Sequence, residues 1–175
     1  MAARAGLRAL PNIISSSRVL LAAAFAASGN ADARLGLVGL AGLTDFLDGW
    51  IARRGKWTSR WGALIDPIAD RVFVLVAVLT FVFRGALSPV GCIVMISRDI
   101  MTAVGFIVAR IMPSLQQVPF KARMSGKVVT TLQLITFVAL LRAPEWVEAC
   151  LWIVGAVSLY SIVDYTYALS KARAA

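Results

Sequence analysis

Histidine is absent from this chain of 175 residues, and acidic residues are few: nine Asp and Glu stand against 18 Lys and Arg. Without histidine there can be no imidazole metal ligand, no serine–histidine–aspartate triad and no phosphohistidine. Cysteine occurs only at Cys92 and Cys150, which is too little for a disulfide framework. Proton transfer must therefore depend on a carboxylate, a lysine, a tyrosine or water.

Apolar residues make up 59% of the chain, and the mean hydropathy is +0.80. Soluble domains are closer to half apolar, and a membrane helix needs roughly 20 apolar residues. The sequence therefore predicts an all-α integral membrane protein, with residues 1–175 forming a single transmembrane domain. Its basic N-terminal segment lacks a convincing signal-peptide cleavage site, so we expect it to be retained. The six predicted spans are 11–28, 35–52, 62–83, 88–111, 125–141 and 146–169.

The distribution of positive charge predicts the orientation. Most Lys and Arg residues flank one set of span ends, including both termini and the segment between the second and third spans. The opposite set of ends has little beyond Arg34, Arg84 and Arg142. The positive-inside rule then places both termini and the second connection in the cytoplasm. Because anionic lipid headgroups account for the net charge of +9, we expect no nucleic-acid partner.

Four of the nine acids fall in one short stretch, at Asp45, Asp48, Asp66 and Asp70. In a helix, the first two are i,i+3 and the last two are i,i+4, so each pair shares a face. Acidic residues in membrane segments are costly and mark functional sites by default. Two such pairs facing each other supply only hard oxygen ligands, which suit Mg²⁺, Mn²⁺ or Ca²⁺.

Small residues and one arginine surround these acids. Gly49 and Ala52 follow Asp45 and Asp48 along one helical stripe, and Gly62 lies one turn before Asp66. Small residues leave a hollow for a ligand, and Arg53 can clamp a phosphate with paired hydrogen bonds. The pattern favours a diphosphate–metal site. The alternative is a packing seam whose acids are neutralised by Arg53, Arg54, Arg60 and Arg71.

The stretch from Asp45 to Asp70 resembles the signature of the CDP-alcohol phosphotransferases at every fixed position, with no gap. The matching positions are Asp45, Asp48, Gly49, Ala52, Arg53, Gly62, Asp66 and Asp70. The resemblance extends to Leu10-Pro11-Asn12 with Ser17 and Arg18, to Ser97-Arg98-Asp99, and to Gly126-Lys127-x2-Thr130-x2-Gln133. It covers nearly the whole chain, and the family's topology is six spans with cytoplasmic termini.

This resemblance implies transfer of a substituted phosphate from a CDP-linked donor to an alcohol, with release of CMP. It also implies two Mg²⁺ or Mn²⁺ ions per active site and a homodimer. Asp45, Asp48 and Asp66 would be principal metal ligands, and Asp70 would be both a ligand and the general base. The expected CDP-binding residues are Asn12, Gly49, Ala52, Arg53 and Gly62. A site at the membrane interface favours CDP-diacylglycerol as the donor.

A second group of cations, in and after the fourth span, is expected to bind a phosphate-bearing alcohol. This group comprises Arg98, Lys121, Arg123 and Lys127. The alternative for Lys121 and Arg123 is that they are ordinary basic residues of a cytoplasmic loop. The alternative for Arg98 is a structural ion pair with Asp99.

Two segments, SRDIMTAVGFIVAR and KARMSGKVVTTLQLI, resemble the CMP-forming cardiolipin synthases most and the phosphatidylglycerophosphate synthases slightly less. The latter usually have Glu in place of Asp99 and often an arginine in place of Gly105. Phosphatidylglycerol is therefore the expected acceptor, with glycerol 3-phosphate and inositol phosphate as alternatives.

A function of another class, a small ion-coupled transporter, would also use acidic residues within spans. Its binding site would lie near the middle of the membrane. Here the acids flank the basic segment RRGKWTSR, and no inverted halves are visible in the sequence. The enzyme interpretation is the stronger one.

Overall fold

The computed structural model describes residues 17–54, 62–111 and 124–174, with side chains described for 17–47, 71–105 and 126–167. Within these residues there are six α-helices, one short 3-10 helix and no strand, so the predicted all-α fold is confirmed there. The helices are α1 (Ser17–Ala27), α2 (Ala31–Arg54), α3 (Gly62–Phe83), α4 (Pro89–Ile111), α5 (Met124–Arg142) and α6 (Val147–Ala174), with the 3-10 helix at Pro144–Trp146.

Local capping determines where two of these helices begin. The backbone N–H of Asp32 donates to Asn30 Oδ1 at 2.8 Å, which starts α2 four residues before the predicted span at residue 35. The N–H of Gly91 donates to Ser88 Oγ at 3.0 Å, and Pro89 is the first residue of α4. Between α3 and α4, Gly85 has a φ of 71°, a left-handed conformation that glycine adopts without strain.

Among the described residues, the segment Pro144–Tyr167 is long and apolar enough to cross a membrane. Two shorter stretches are also apolar: Ser17–Ala27, and Arg71–Phe83, which is the part of α3 with described side chains.

The chain forms two compact units, Met1–Arg84 and Gly85–Ala175. In the first unit, aromatic rings pack around the fully buried Phe25 of α1. Its ring contacts Phe73 and Phe81 of α3 edge-to-face, with centroids 5.8 and 5.6 Å away. Such pairs stabilise beyond the area that they bury. These contacts fix α1 along one side of α3.

Two arginines bind the carbonyl groups at the end of α1. Arg34 of α2 is buried, lies over the Phe25 ring, and donates from Nη2 to the Ser28 carbonyl at 2.7 Å. Its Nε donates to the Phe25 carbonyl at 3.3 Å. Arg84, which follows α3, donates to the same Ser28 carbonyl at 3.0 Å. The Ser28 carbonyl oxygen, which follows α1, therefore accepts hydrogen bonds from the start of α2 and from the residue after α3.

Replacing Arg34 by methionine should lower the free energy of unfolding by about 2 kcal/mol, because the buried Phe25 carbonyl loses its charged donor and the Ser28 carbonyl keeps only the bond from Arg84. Arg84→Met is the matched control. Arg84 is exposed, and the Ser28 carbonyl would keep its bond from Arg34, so we expect a smaller loss. Thermal unfolding of the two purified variants would compare them. Equal losses, or none for Arg34→Met, would contradict the anchoring role.

In the second unit, α6 packs against both α4 and α5. α6 comes close to α4 at Gly91, where a Cβ would lie 3.1 Å from Leu151 Cδ1 of α6. Large apolar side chains such as Met95, Phe137 and Val154 are fully buried. Several polar side chains are fully buried among them, including Gln133 and Thr136 of α5 and Ser161 of α6. Buried polar groups are costly unless they are bonded, so this unit contains polar contacts that need an explanation.

Candidate active site

The structure places the four aspartates of the predicted metal site in helices. Asp45 and Asp48 lie in α2, and Asp66 and Asp70 lie in α3. The i,i+3 and i,i+4 spacings therefore do put each pair on one helical face. Only seven residues, 55–61, separate the two helices in sequence. The side chains of Asp48, Asp66 and Asp70 lie outside those that the structure describes.

Asp45 forms an ion pair with an arginine of α1. Arg18 Nη1 lies 3.6 Å from Asp45 Oδ1. The arginine side chain is 3% exposed and the carboxylate 49%, so the cation is enclosed while the acid remains open to a ligand. Sequence reasoning related Arg18 to the family pattern only and named other arginines as neutralising partners. The sequence did contain a signal for this pair, because Arg18 is a cation within an apolar span and such a residue needs a partner.

Most of the residues expected to bind CDP lie at the end of α2 and the start of α3. Gly49, Ala52 and Arg53 lie in the last two turns of α2, and Gly62 is the first residue of α3. Their side chains are outside the described set, and Asn12 lies outside the described residues. Their assignment to the donor therefore stays a prediction.

The chemistry of this donor set fits a divalent cation. Carboxylate oxygens on two neighbouring helices are hard ligands of the kind that Mg²⁺ and Mn²⁺ prefer. Arg18 occupies one side of Asp45, yet half of that carboxylate stays exposed. The Asp45 carboxylate can therefore accept a metal, and the other three ligands stay a prediction.

In the second unit, Arg98 of α4 belongs to a buried polar network. Its Nη1 donates to Asp99 Oδ1 at 2.9 Å. The other carboxylate oxygen, Oδ2, accepts a bond of 2.8 Å from Gln133 Nε2 of α5, which also donates to the Met95 carbonyl at 2.7 Å. The structure thus contains the Arg98–Asp99 pair that was predicted as the alternative role of Arg98. Sequence reasoning placed Gln133 in a family-like motif but gave it no role.

The other expected acceptor residues lie in or before α5. Lys127 is exposed in the first turn of α5, next to Gly126, whose Cα faces the Arg98 guanidinium. A Cβ at Gly126 would overlap Arg98 Nη2. Lys121 and Arg123 lie outside the described residues. The structure thus brings Arg98 to the start of α5 but does not test the full cation group.

Comparison with known sequences gives a family match over most of the chain. A family model described as CDP-alcohol phosphatidyltransferase matches residues 8–160. This range includes the four aspartates, Arg98 and Gln133.

Several curated relatives carry the name CDP-diacylglycerol–glycerol-3-phosphate 3-phosphatidyltransferase. The protein of Sodalis glossinidius is 31% identical over 140 residues, which is 74% of each chain. That of Escherichia coli is 31% identical over 146 residues, covering 77% of this chain and 75% of the relative. That of Aquifex aeolicus is 35% identical over 101 residues, covering 55% of this chain and 57% of the relative.

Proposed function

The chain belongs to the CDP-alcohol phosphatidyltransferase family, and on that premise we propose that it transfers the phosphatidyl group of CDP-diacylglycerol to glycerol 3-phosphate. The products are phosphatidylglycerophosphate and CMP. The observation that carries the choice of acceptor is the name that relatives from different bacteria share.

The names of the relatives favour one of the predicted alternatives over the acceptor expected first. The resemblance of two sequence segments favoured phosphatidylglycerol, as in cardiolipin synthesis, whereas the relatives are named for glycerol 3-phosphate. Asp99, on which part of that first expectation depended, accepts bonds from Arg98 and Gln133. A glutamate offers the same two oxygens, so Asp in place of Glu does not distinguish between the acceptors. Both acceptors also present a phosphate and a free glycerol hydroxyl.

The proposed chemistry assigns the four aspartates to binding and proton transfer. Asp45, Asp48 and Asp66 hold a pair of Mg²⁺ or Mn²⁺ ions, with Asp70 as a further ligand. When bound, these ions neutralise the diphosphate and stabilise the departing CMP. Asp70 takes the proton of the attacking acceptor hydroxyl. A new P–O bond then forms to the phosphorus that carries diacylglycerol, and the bond from that phosphorus to CMP breaks.

Arg18 and Arg53 support this step by charge. Arg18 helps to orient the Asp45 carboxylate, since its enclosed cation lies 3.6 Å away. Arg53 binds the diphosphate of the donor, and Asn12, Gly49, Ala52 and Gly62 complete the CDP site. Because Gly49, Ala52 and Gly62 are small, backbone atoms can approach the nucleotide closely.

The proposed acceptor site is built on Arg98. Arginine binds phosphate with two parallel hydrogen bonds, which fixes the orientation of the acceptor. Lys121, Arg123 and Lys127 add positive charge that attracts a dianionic substrate. The proposal also includes the membrane topology with six spans, cytoplasmic termini and a cytoplasmic active site, and the homodimer that the family resemblance implies.

The function is tested by offering purified enzyme CDP-diacylglycerol, Mg²⁺ and equal amounts of glycerol 3-phosphate and phosphatidylglycerol. We expect CMP release, with phosphatidylglycerophosphate as the dominant lipid product in mass spectrometry. Inositol phosphate in a parallel reaction should give little product. Dominant cardiolipin would show that the acceptor is phosphatidylglycerol, while the reaction class would survive. No CMP release with any acceptor would contradict the enzyme function.

A further inference from the structure

We infer that Gln133 is a positioning residue that orients Arg98 for the acceptor phosphate, an inference that rests on the proposed acceptor site. Gln133 is fully buried in α5, and its side-chain amide is the polar group that joins α5 to α4 in this network. Nε2 donates both to the Met95 carbonyl at 2.7 Å and to Asp99 Oδ2 at 2.8 Å. The amide is therefore held in one orientation by a backbone atom while it holds a carboxylate.

Asp99 transmits this constraint to Arg98. Its two carboxylate oxygens accept from different side chains, Oδ2 from Gln133 and Oδ1 from Arg98 Nη1 at 2.9 Å. A carboxylate fixed at one oxygen has little freedom to rotate, so the guanidinium bound to its other oxygen is fixed as well. Charge-assisted bonds of this kind are short and strong. Loss of the Gln133 amide would remove one of the bonds that hold the carboxylate, and would thereby loosen the position of the arginine.

Gly126 limits the guanidinium from another direction. A Cβ at this position would overlap Arg98 Nη2, so the guanidinium rests against the backbone of α5. Arg98 itself is 7% exposed. The arginine is thus confined between the Asp99 carboxylate and the first turn of α5.

One donor of Arg98 is left over in this arrangement. Nε is buried, and it has no hydrogen-bond partner among the described residues. A buried donor without a partner is costly, and a purely structural arginine–aspartate pair has no need to retain one. The Nε and Nη2 edge of a guanidinium is a fork that matches two phosphate oxygens. Asp99 accepts from Nη1 at the other end of the group, so no described residue accepts a bond from Nε, which we assign to the acceptor phosphate.

The test is Gln133→Met, which removes the amide and keeps an unbranched side chain of similar length. We expect the KM for glycerol 3-phosphate to rise about tenfold, because a phosphate bond to a mispositioned arginine is weakened. The KM for CDP-diacylglycerol and the kcat at saturating acceptor should stay close to those of the unaltered enzyme. Thr136→Val is the matched control, since Thr136 is equally buried in α5 and its hydroxyl donates to the Leu132 carbonyl of the same helix. It should leave both KM values unchanged.

Arg98→Lys separates this inference from the proposed function. Lysine cannot form the fork, so this variant should also raise the KM for glycerol 3-phosphate. Gln133→Met should then add little in the Arg98→Lys background, because both changes act through one group. If Arg98→Lys alone leaves that KM unchanged, the acceptor site is wrong. If Arg98→Lys raises it and Gln133→Met does not, or if the two effects add fully, the positioning role is wrong.

Gly126→Ala tests the same confinement with a variant that favours the helix. Its methyl group must displace the guanidinium, so we expect a rise in the KM for glycerol 3-phosphate here too. Gly155→Ala is its control, because a Cβ there would meet Val94 at an ordinary contact distance of 3.4 Å. A normal KM in Gly126→Ala, or an equal rise in Gly155→Ala, would overturn the inference even if Gln133→Met does not fold.

Discussion

Asp45→Asn and Asp66→Asn should each lower the rate of CMP release by on the order of a thousandfold, as expected when metal-based stabilisation of charge is lost. The reason is the donor set: an amide offers one neutral oxygen where the carboxylate offers two charged ones. Excess chelator should abolish the activity of the unaltered enzyme, and Mg²⁺ or Mn²⁺ should restore it. Binding of Mn²⁺ by electron paramagnetic resonance, weakened in both variants, would check the ligands independently of activity.

Asp32→Asn is the control for these variants. Asp32 lies in the first turn of α2, at the opposite end of the helix from the candidate site, and it is exposed. We expect it to retain activity and Mn²⁺ binding. Full activity of the unaltered enzyme in excess chelator would contradict the proposal that the enzyme uses a metal. Normal turnover in Asp45→Asn would show that Asp45 is not a metal ligand.

Asp70→Asn should separate binding from chemistry. As the proposed base, Asp70 accepts the proton of the acceptor hydroxyl, and asparagine cannot do so. The variant should still bind CDP-diacylglycerol in the presence of metal, measured with radiolabelled donor, while releasing almost no CMP. A near-normal kcat with a raised KM for the donor would show instead that Asp70 contributes only to binding.

The helices could be predicted from the sequence because each apolar run ends at a recognisable signal. The predicted span 62–83 has the same bounds as α3, which begins at Gly62 and ends just before Arg84. The end of α6 was predicted less well, since the helix continues to Ala174 through a charged segment that a hydropathy criterion excludes. Hydropathy reports burial in lipid, whereas a helix continues as long as its backbone bonds persist.

The site could be predicted only where the relevant spacing lies within one helix. The aspartate pairs follow from the period of 3.6 residues, and α2 and α3 are helical at all four positions. The ion pair between Arg18 and Asp45, and the bond between Gln133 and Asp99, join different helices. The latter residues are 34 positions apart, and no local pattern determines which side chains meet after packing.

The burial of Arg98 makes its electrostatic contribution insensitive to ionic strength. Dissolved ions screen exposed charges strongly and enclosed charges much less. Arg98 is nearly enclosed, whereas Lys127, one residue after Gly126, is exposed. The proposed attraction of an acceptor phosphate to this part of the protein would therefore have one component that persists in concentrated salt and one that decreases. A change in ionic strength would alter how fast a charged substrate arrives, and would alter far less how firmly the enclosed guanidinium holds it.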